Sequence, residues 1–387
     1  MTKTSKGLGR REFARLASSS LAVAIPATAA PAKDASPSSL VVRVHSSKAT
    51  KPWDYAANAP WDHTVEMTTE QPGKIRERYY DFIDEKTVAL MLRRGLYEFT
   101  GMSSAAAALK TFLPGFDPAQ KFTLKLNMNN ASFNPAITTN RMDQTMPLVN
   151  AVLDVLIDGL GVPAANITLL DASRYLHPVI MKGRCRHAGV HWIDSQSPDR
   201  WDPSESVKFT RDTPAPGGNF WMPKGYTQAD HILNFCLFKA HGCGVTGAMK
   251  SHFGSIPSPK FLHEGMGQKS YIADLCATPS IRNKVRLNIV DALFGNWGGP
   301  VWAPRPWLTF SEPSPNSLFF SRDPVALDSV MLDHLAGELK AQGPKAPAHV
   351  KEWVETTTFL EYAMRHHGLG VHERKPYNRI SYGTVEV

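Results

Sequence analysis

The hydrophobic pattern of the chain switches between two periods. Short apolar runs of strand composition occur at Leu40–Val44, Phe122–Met128, Ile167–Leu170, Val190–Ile193, His231–Phe238, Val285–Val290 and Ser317–Phe320, and a weaker one lies near Ile380. Between them, apolar residues recur at helical spacing over Glu85–Thr100, Ser103–Phe112, Met142–Gly159, Gln268–Cys276, Pro324–Leu339 and Lys351–His366. A short helix is expected around Pro178–His187, and Gly161-Val162-Pro163 terminates the helix before it. Residues 194–227 read as loop-rich, with strands expected at Val207–Thr210 and Asn219–Met222. Strands and helices alternating at βαβ spacing predict an α/β fold, a mostly parallel sheet flanked by helices, with insertions near 46–80 and 194–227. No fixed-period repeat interrupts it.

Composition narrows the class. Of 387 residues, 42% are hydrophobic and 20% charged, which is ordinary for a globular chain. The N-terminus reads as a targeting segment. Gly9-Arg10-Arg11-Glu12-Phe13 precedes a mild apolar stretch, Leu16 to Ala30, with small residues at Ala27 and Ala29. That order resembles a twin-arginine export signal. The expected organisation is a signal peptide over 1–30, a disordered polar leader over 31–39 and a single α/β domain over 40–387. The expected partners are the twin-arginine machinery and a small molecule, and the expected location is periplasmic or secreted. Cleavage after Ala29 removes five basic residues and one acid, so the formal charge falls from +8 to +4. A nucleic-acid partner then loses its support. No window reaches the ~18 consecutive apolar residues of a membrane span. The four cysteines, Cys185, Cys236, Cys243 and Cys276, form no C-x-x-C pair, so an iron–sulfur cluster and a structural zinc are not expected.

Polar residues gather where the strands stop. Lys125 and Asn127 close the second apolar run, and Asp171, Ser173 and Arg174 follow Ile167–Leu170. Lys239 and His241 follow His231–Phe238, Asp291 follows Val285–Val290, and Arg322 and Asp323 follow Ser317–Phe320. In a parallel sheet such residues converge on one crevice. Each also has a structural explanation. Asp323 before Pro324 is a helix cap in waiting, Asp171 and Asp291 suit turns, and Lys125 and Asn127 alternate with leucines as on a solvated face. The aromatic stretch with Trp53, Tyr55, Trp61, Tyr79 and Tyr80 suits a satellite cluster packed on the core, or a loop covering a substrate.

The densest signal is His231 to Ile256. Its Gly242-Cys243-Gly244-Val245-Thr246-Gly247 matches G-x-G-x-x-G, but Ile256 to Glu264 supplies no second strand closed by an acid, so NAD is not expected. Ala248 stands where a P-loop needs lysine. There remains a glycine turn opening a helix, with Thr246 and Lys250, able to hold an anion. His241, His252 and His263 are candidate ligands for a divalent metal, with oxygen from Asp171, Asp291 or Glu264. Lys239 or Lys250 with His241 could instead move protons, since a second cation lowers a lysine pKa.

Four segments carry a family resemblance: FTLKLNMN, FKAHGCGVTGAMKSHFG, VRLNIVDALFGNWGGP and SLFFSRDPVALDSV. Together they resemble the bacterial domain-of-unknown-function family numbered 362, across about residues 40–340. The resemblance implies that Lys125, Asn127, Lys239, His241, Thr246, Lys250, Asp291, Asp323 and Asp328 are its matching positions. Ser251 stands where the family often has Asn, and the ferredoxin-like cysteine module of some members is absent. The functional expectation is an exported enzyme acting on a small anionic or sugar-like substrate, a lyase, isomerase or hydrolase rather than a redox enzyme. His241, Lys239, Lys250 and Asp291 are its expected catalytic residues. Lys125, Asn127, Asp171, Arg174, Thr246 and Asp323 are expected to bind substrate. The alternatives are a non-catalytic solute or cofactor carrier, and an envelope protein that binds through its tryptophans.

Overall fold

Strands whose two faces are both apolar must be covered on both faces, and that requirement shapes this chain. The computed structural model describes residues 39–58, 77–129, 140–178, 181–299 and 303–387. The expected signal peptide and leader, and Trp61, lie outside the described residues. The described strands are β1 (Ser39–His45), β2 (Phe122–Lys125), β3 (Ile167–Leu170), β4 (His191–Ile193), β5 (Trp201–Ser206), β6 (Trp221–Pro223), β7 (His231–His241), β8 (Gly244–Thr246), β9 (Val285–Asn296), β10 (Ser317–Ser321) and β11 (Ile380–Glu386). Nine of them form one sheet in the order β11-β1-β10-β9-β7-β2-β3-β4, with β8 paired to β7. The run β9-β7-β2-β3-β4 is parallel throughout, while β10 and β8 run antiparallel to their neighbours. β5 and β6 form a separate antiparallel ribbon.

Alternation along the strands sorts the core into two layers. Leu124, Leu233, Phe235, Leu287, Ile289 and Phe320 pack on one face with Val88, Leu92, Leu148 and Val152 of helices Glu85–Thr100 and Met146–Asp154. Ile232, Cys236, Phe238, Val290 and Phe319 pack on the other with Val330, Leu335 and Phe359, from helices Pro324–Gln342 and Phe359–His367. Trp53, Tyr55, Tyr79 and Tyr80 of the aromatic stretch belong to the first layer. Trp53 meets Tyr55, Tyr79 and Phe294 edge-on at 4.9–6.2 Å between centroids, and is 6% exposed. The satellite cluster is thus the packing found for its described residues.

The chain runs outward from β2 through β3 to β4, then returns to place β7 on the other side of β2. The connections therefore diverge between β2 and β7. In an open α/β sheet, such a switch point leaves a crevice at the carboxyl ends of the strands.

Several boundaries differ from expectation for local reasons. The helix expected from Met142 starts at Met146, with Pro147 in its first turn, and ends in a π turn, Val155–Gly159. Lys351–His366 is two helices, Ala348–Thr356 and Phe359–His367. Among the described residues of Pro178–His187 only the 3-10 turn Lys182–Arg184 forms. The strands expected at Val207–Thr210 and Asn219–Met222 are displaced to β5 and β6, although the Val207 amide still donates to Phe220 O at 3.0 Å. β9 does not stop at Val290 but runs on to Asn296.

Asp323 is the N-cap of helix Pro324–Gln342. Its Oδ1 accepts from the amides of Val325 at 2.9 Å and Ala326 at 2.8 Å; its Oδ2 accepts from the Val371 amide at 2.8 Å and from the Ser39 hydroxyl. Asp323→Ala orphans three buried amides, and is expected to lower stability by at least about 2 kcal/mol. Urea denaturation checks this, and an unchanged midpoint would show that the cap is dispensable.

Candidate functional site

The site is formed by β2, β3 and β7 ending side by side. Past Lys125, the β2 segment continues in the same alternation and carries Asn127 and Asn129. β3 delivers Asp171, and β7 delivers Lys239 and His241. These converge on a cavity of about 210 Å³ lined by Asn127, Asn129, Asp171, Ser173, Arg174, Lys239, His241, Thr246, Lys250, Ser251, Phe253, Gly254, Pro259 and His263, together with Met128.

Asp171 fastens the floor. Its Oδ2 accepts from the Met128 amide at 3.1 Å and faces Lys125 Nζ at 3.4 Å, and its Oδ1 accepts from the Ser173 amide at 3.3 Å. Lys125 is wholly buried and also donates to Leu126 O. Burial lowers the Lys125 pKa and the Asp171 charge opposes that fall. Gly254 closes over the pair. A Cβ there would lie 2.7 Å from both Asp171 oxygens and from Lys125 Nζ.

The walls carry cations in a dry setting. Lys239 Nζ donates to Asn129 Oδ1 at 2.8 Å. Its pKa lies well below the ordinary lysine value, first through burial and then through Lys250, with Asp143 pulling the other way. Lys250 stands 3.9 Å over the Phe253 ring, and burial lowers its pKa to about 8. The histidine rings of His241 and His263 are 5.5 Å apart. Burial and then Lys250 keep both neutral, His263 down at about 4 and His241 well below its ordinary value. His263 Nδ1 donates to Pro259 O at 2.7 Å, which leaves Nε2 as an acceptor. His241 Nδ1 accepts from the Gly242 amide at 2.8 Å, which puts the ring proton on Nε2. The pair thus offers one acceptor and one donor. Two polar atoms of the cavity lining are buried with no hydrogen-bond partner among the described residues: Asn127 Nδ2 and Thr246 Oγ1. Buried polar atoms are rarely left so unless a ligand or water completes them.

The glycine turn is not the expected helix start. Gly242 and Cys243 turn the β7–β8 hairpin, in which Lys239 pairs with Thr246 and His241 with Gly244. Gly244 takes φ 86°, a conformation suited to glycine. Beyond β8 the chain forms a six-residue 3-10 helix, Lys250–Ser255. The Ala248 and Met249 amides are not open to an anion either, because Asp328 accepts both, at 2.6 and 3.0 Å. Burial raises the Asp328 pKa to about 7 against those bonds.

Of the expected residues, Asn127, Asp171, Arg174, Lys239, His241, Thr246, Lys250 and His263 meet at the cavity, with Lys125 beneath it. Three others do not line it. Asp291 lies inside β9, where its Oδ2 accepts from Gln144 Nε2 at 2.9 Å and Thr145 Oγ1 at 2.6 Å; burial raises its pKa to about 6. It positions the segment whose Gln144 amide donates to Asn127 O at 2.9 Å. Asp323 caps its helix. His252 lines a different cavity with Asn288 and Arg322, and its Nδ1 meets the Tyr226 hydroxyl at 2.9 Å. Ser173, one of the polar residues after β3, joins the lining. Asn129 and Gly254 were not expected there; Asn129 was legible as the next polar position after Lys125 and Asn127.

Of the three candidate metal histidines, His241 and His263 share the crevice and His252 lies apart from them. A different group is gathered: Asp154, Asp158 and His187 each bring a ligand atom within 4.8 Å of the others and are able to coordinate a metal. None of them lines the crevice. Arg186 and His187 already pair with Asp154, at 2.5 and 2.7 Å. All four cysteines are free thiols, and no helix among the described residues is long and apolar enough to cross a membrane.

A family match covers residues 123–333, more than half of the chain and every residue that lines the cavity. The chain belongs to the family described as Domain of unknown function (DUF362). No curated protein matches the sequence. The DUF362 segment runs from β2 into helix Pro324–Gln342, so it includes the Asp328 carboxylate that fixes the turn before Lys250.

Gly254→Ala is expected to destabilise the protein by about 1–3 kcal/mol, because the methyl group must displace Asp171 or Lys125. Gly337→Ala, in a helix with nothing within 4 Å of the added carbon, is expected to be neutral or stabilising. Thermal denaturation of the two variants tests the difference, and equal melting temperatures would contradict it.

Proposed function

We propose that the crevice between β2 and β7 binds a small organic anion and moves protons on it. The observation that carries this reading is the pairing of two unpartnered buried atoms, Asn127 Nδ2 and Thr246 Oγ1, with Arg174 and Lys250 on one small cavity. In this reading Arg174 and Lys250 hold the anion, since a cation in a water-poor cavity attracts it more strongly than at the surface. Asn127 and Thr246 complete its hydrogen bonds. Lys239, whose pKa burial and Lys250 hold well below the ordinary lysine value, accepts a proton, and His263 Nε2 is a second acceptor on the same cavity. Asp171 and Asp291 orient the site, a narrower role than the catalytic one expected for Asp291.

We further propose that the chain is a single α/β domain after an export signal, acting in the periplasm or outside the cell. Support comes from Gly9-Arg10-Arg11-Glu12-Phe13 and the apolar stretch after it. A divalent metal would suit Asp154, Asp158 and His187 better than the crevice, whose Arg174 and Lys250 repel a cation.

Arg174→Ala or Lys250→Ala is expected to weaken binding of small carboxylates by about 10–100-fold, as expected for a charged hydrogen bond worth ~1.5–3 kcal/mol. Isothermal titration calorimetry with malonate measures it, and unchanged affinity in both variants would refute the reading. Lys250 is protonated below its pKa of about 8. Wild-type affinity is therefore expected to hold from pH 6 to 7 and to fall as the pH rises past ~8. In Lys250→Ala that alkaline fall is expected to disappear.

A further inference from the structure

We propose that Lys239 forms an imine with its substrate, and that the crevice takes small 2-oxo or 3-oxo acids. Their carboxylate would be held by Arg174 and Lys250 while their carbonyl meets the Lys239 amine. This inference rests on the anion-site reading above and adds a covalent step to it.

The geometry has the parts that imine chemistry needs. Lys239 stands at the exit of β7, facing Thr246 across the hairpin, and its side chain is 2% exposed. Nζ donates to Asn129 Oδ1 at 2.8 Å, a bond that holds the nitrogen in place through one of its protons. A second lysine, Lys250, lines the same cavity, and Arg174 lines it too. A desolvated lysine beside another cation is one of the recurring ways a protein makes an amine nucleophilic. The charged groups that act most on Lys239 are Lys250 and Arg174, which favour the neutral amine, and Asp143 and Cys243, which oppose it; His241 and His263 face the same cavity. Burial outweighs them all. The cavity of about 210 Å³ fits a molecule of a few carbons rather than a nucleotide or an oligosaccharide.

The step balances within the site. The Lys239 lone pair attacks the carbonyl carbon, and the carbonyl π pair moves to oxygen, which takes a proton from the Lys250 ammonium. The new N–C bond leaves a positive nitrogen that gives one proton to His263 Nε2. His263 returns that proton to the hydroxyl, which departs as water as the nitrogen lone pair closes the C=N bond. The net change is amine plus carbonyl plus one proton to iminium plus water, and solvent reprotonates Lys250. The iminium then draws electrons from the neighbouring carbon, which suits loss of carbon dioxide or of an α proton.

The test uses the full chain with pyruvate, sodium cyanoborohydride and peptide mass mapping. Lactate, which has the carboxylate but no carbonyl, is the control, and calorimetry with both acids runs in parallel. The expected result is binding of both acids and one reduced adduct, formed with pyruvate only and mapped to Lys239. Lys239→Arg should abolish it. The site is mapped on the wild-type protein, so the test stands even if that variant does not fold. Binding of both acids without an adduct, or with an adduct on Lys250 or on surface lysines alone, would overturn the imine and leave the anion site standing. Failure of either acid to bind would overturn the anion site itself.

Discussion

The structure of the crevice depends on one buried carboxylate. Asp171 takes the Met128 amide from the end of β2, the Ser173 amide from its own turn and the Lys125 ammonium from below. Two strand ends and a lysine with no exposure are thereby tied to one point. Such a pair is poor evidence of added stability, because two charges leave water to form it. Removing either partner, however, leaves a bare buried charge and costs about 3–5 kcal/mol. The sheet can keep its ends open at the switch point because this knot holds them. Gly254 lets the Lys250–Ser255 turn come down on it with no side chain between.

Three further acids act at a distance from the cavity, by similar means. Asp328 takes the amides of Ala248 and Met249 and so fixes the approach to Lys250. Asp291 holds Gln144 and Thr145, and through them the backbone of Asn127. Asp143 accepts from the Asn129 amide, next to the side chain that receives Lys239. Acids fixed by backbone and side-chain donors thus surround a cavity whose walls carry Lys239, Lys250 and Arg174. The result is a division of labour. Carboxylates spend their charge on geometry, and cations are left to face the ligand. The lowered pKa of Lys239 comes from the same arrangement, since burial and the Lys250 cation both act against its protonation.

Much of this was legible from local pattern. Helix Glu85–Thr100 and strand Ile167–Leu170 lie where apolar spacing puts them, because periodicity alone decides an amphipathic helix or a bounded buried strand. Asn127, Asp171, Arg174, Lys239 and His241 meet at the cavity because parallel strands bring their carboxyl ends to one edge, and the hairpin and turns after β7 add Thr246, Lys250 and His263. The features that escaped are non-local. Nothing near Asp291 announces that Gln144 and Thr145, some 146 residues earlier, allow a carboxylate inside a strand. The glycine turn reads as a helix start until Asp328, 80 residues on, takes its amides. His252 shares a 3-10 turn with Lys250 yet lines another cavity, a separation that sequence spacing at a strand end does not encode.

The central claim is that the β2–β7 crevice is built to receive an organic anion. A crystal structure of the protein grown with malonate tests it most directly. One malonate is expected in the crevice, its carboxylates within hydrogen-bond distance of Arg174, Lys250, Asn127 Nδ2 and Thr246 Oγ1. A crevice holding only water at a malonate concentration that saturates binding elsewhere on the protein, or one closed by a side chain that pairs with Asn127 and Thr246, would contradict it.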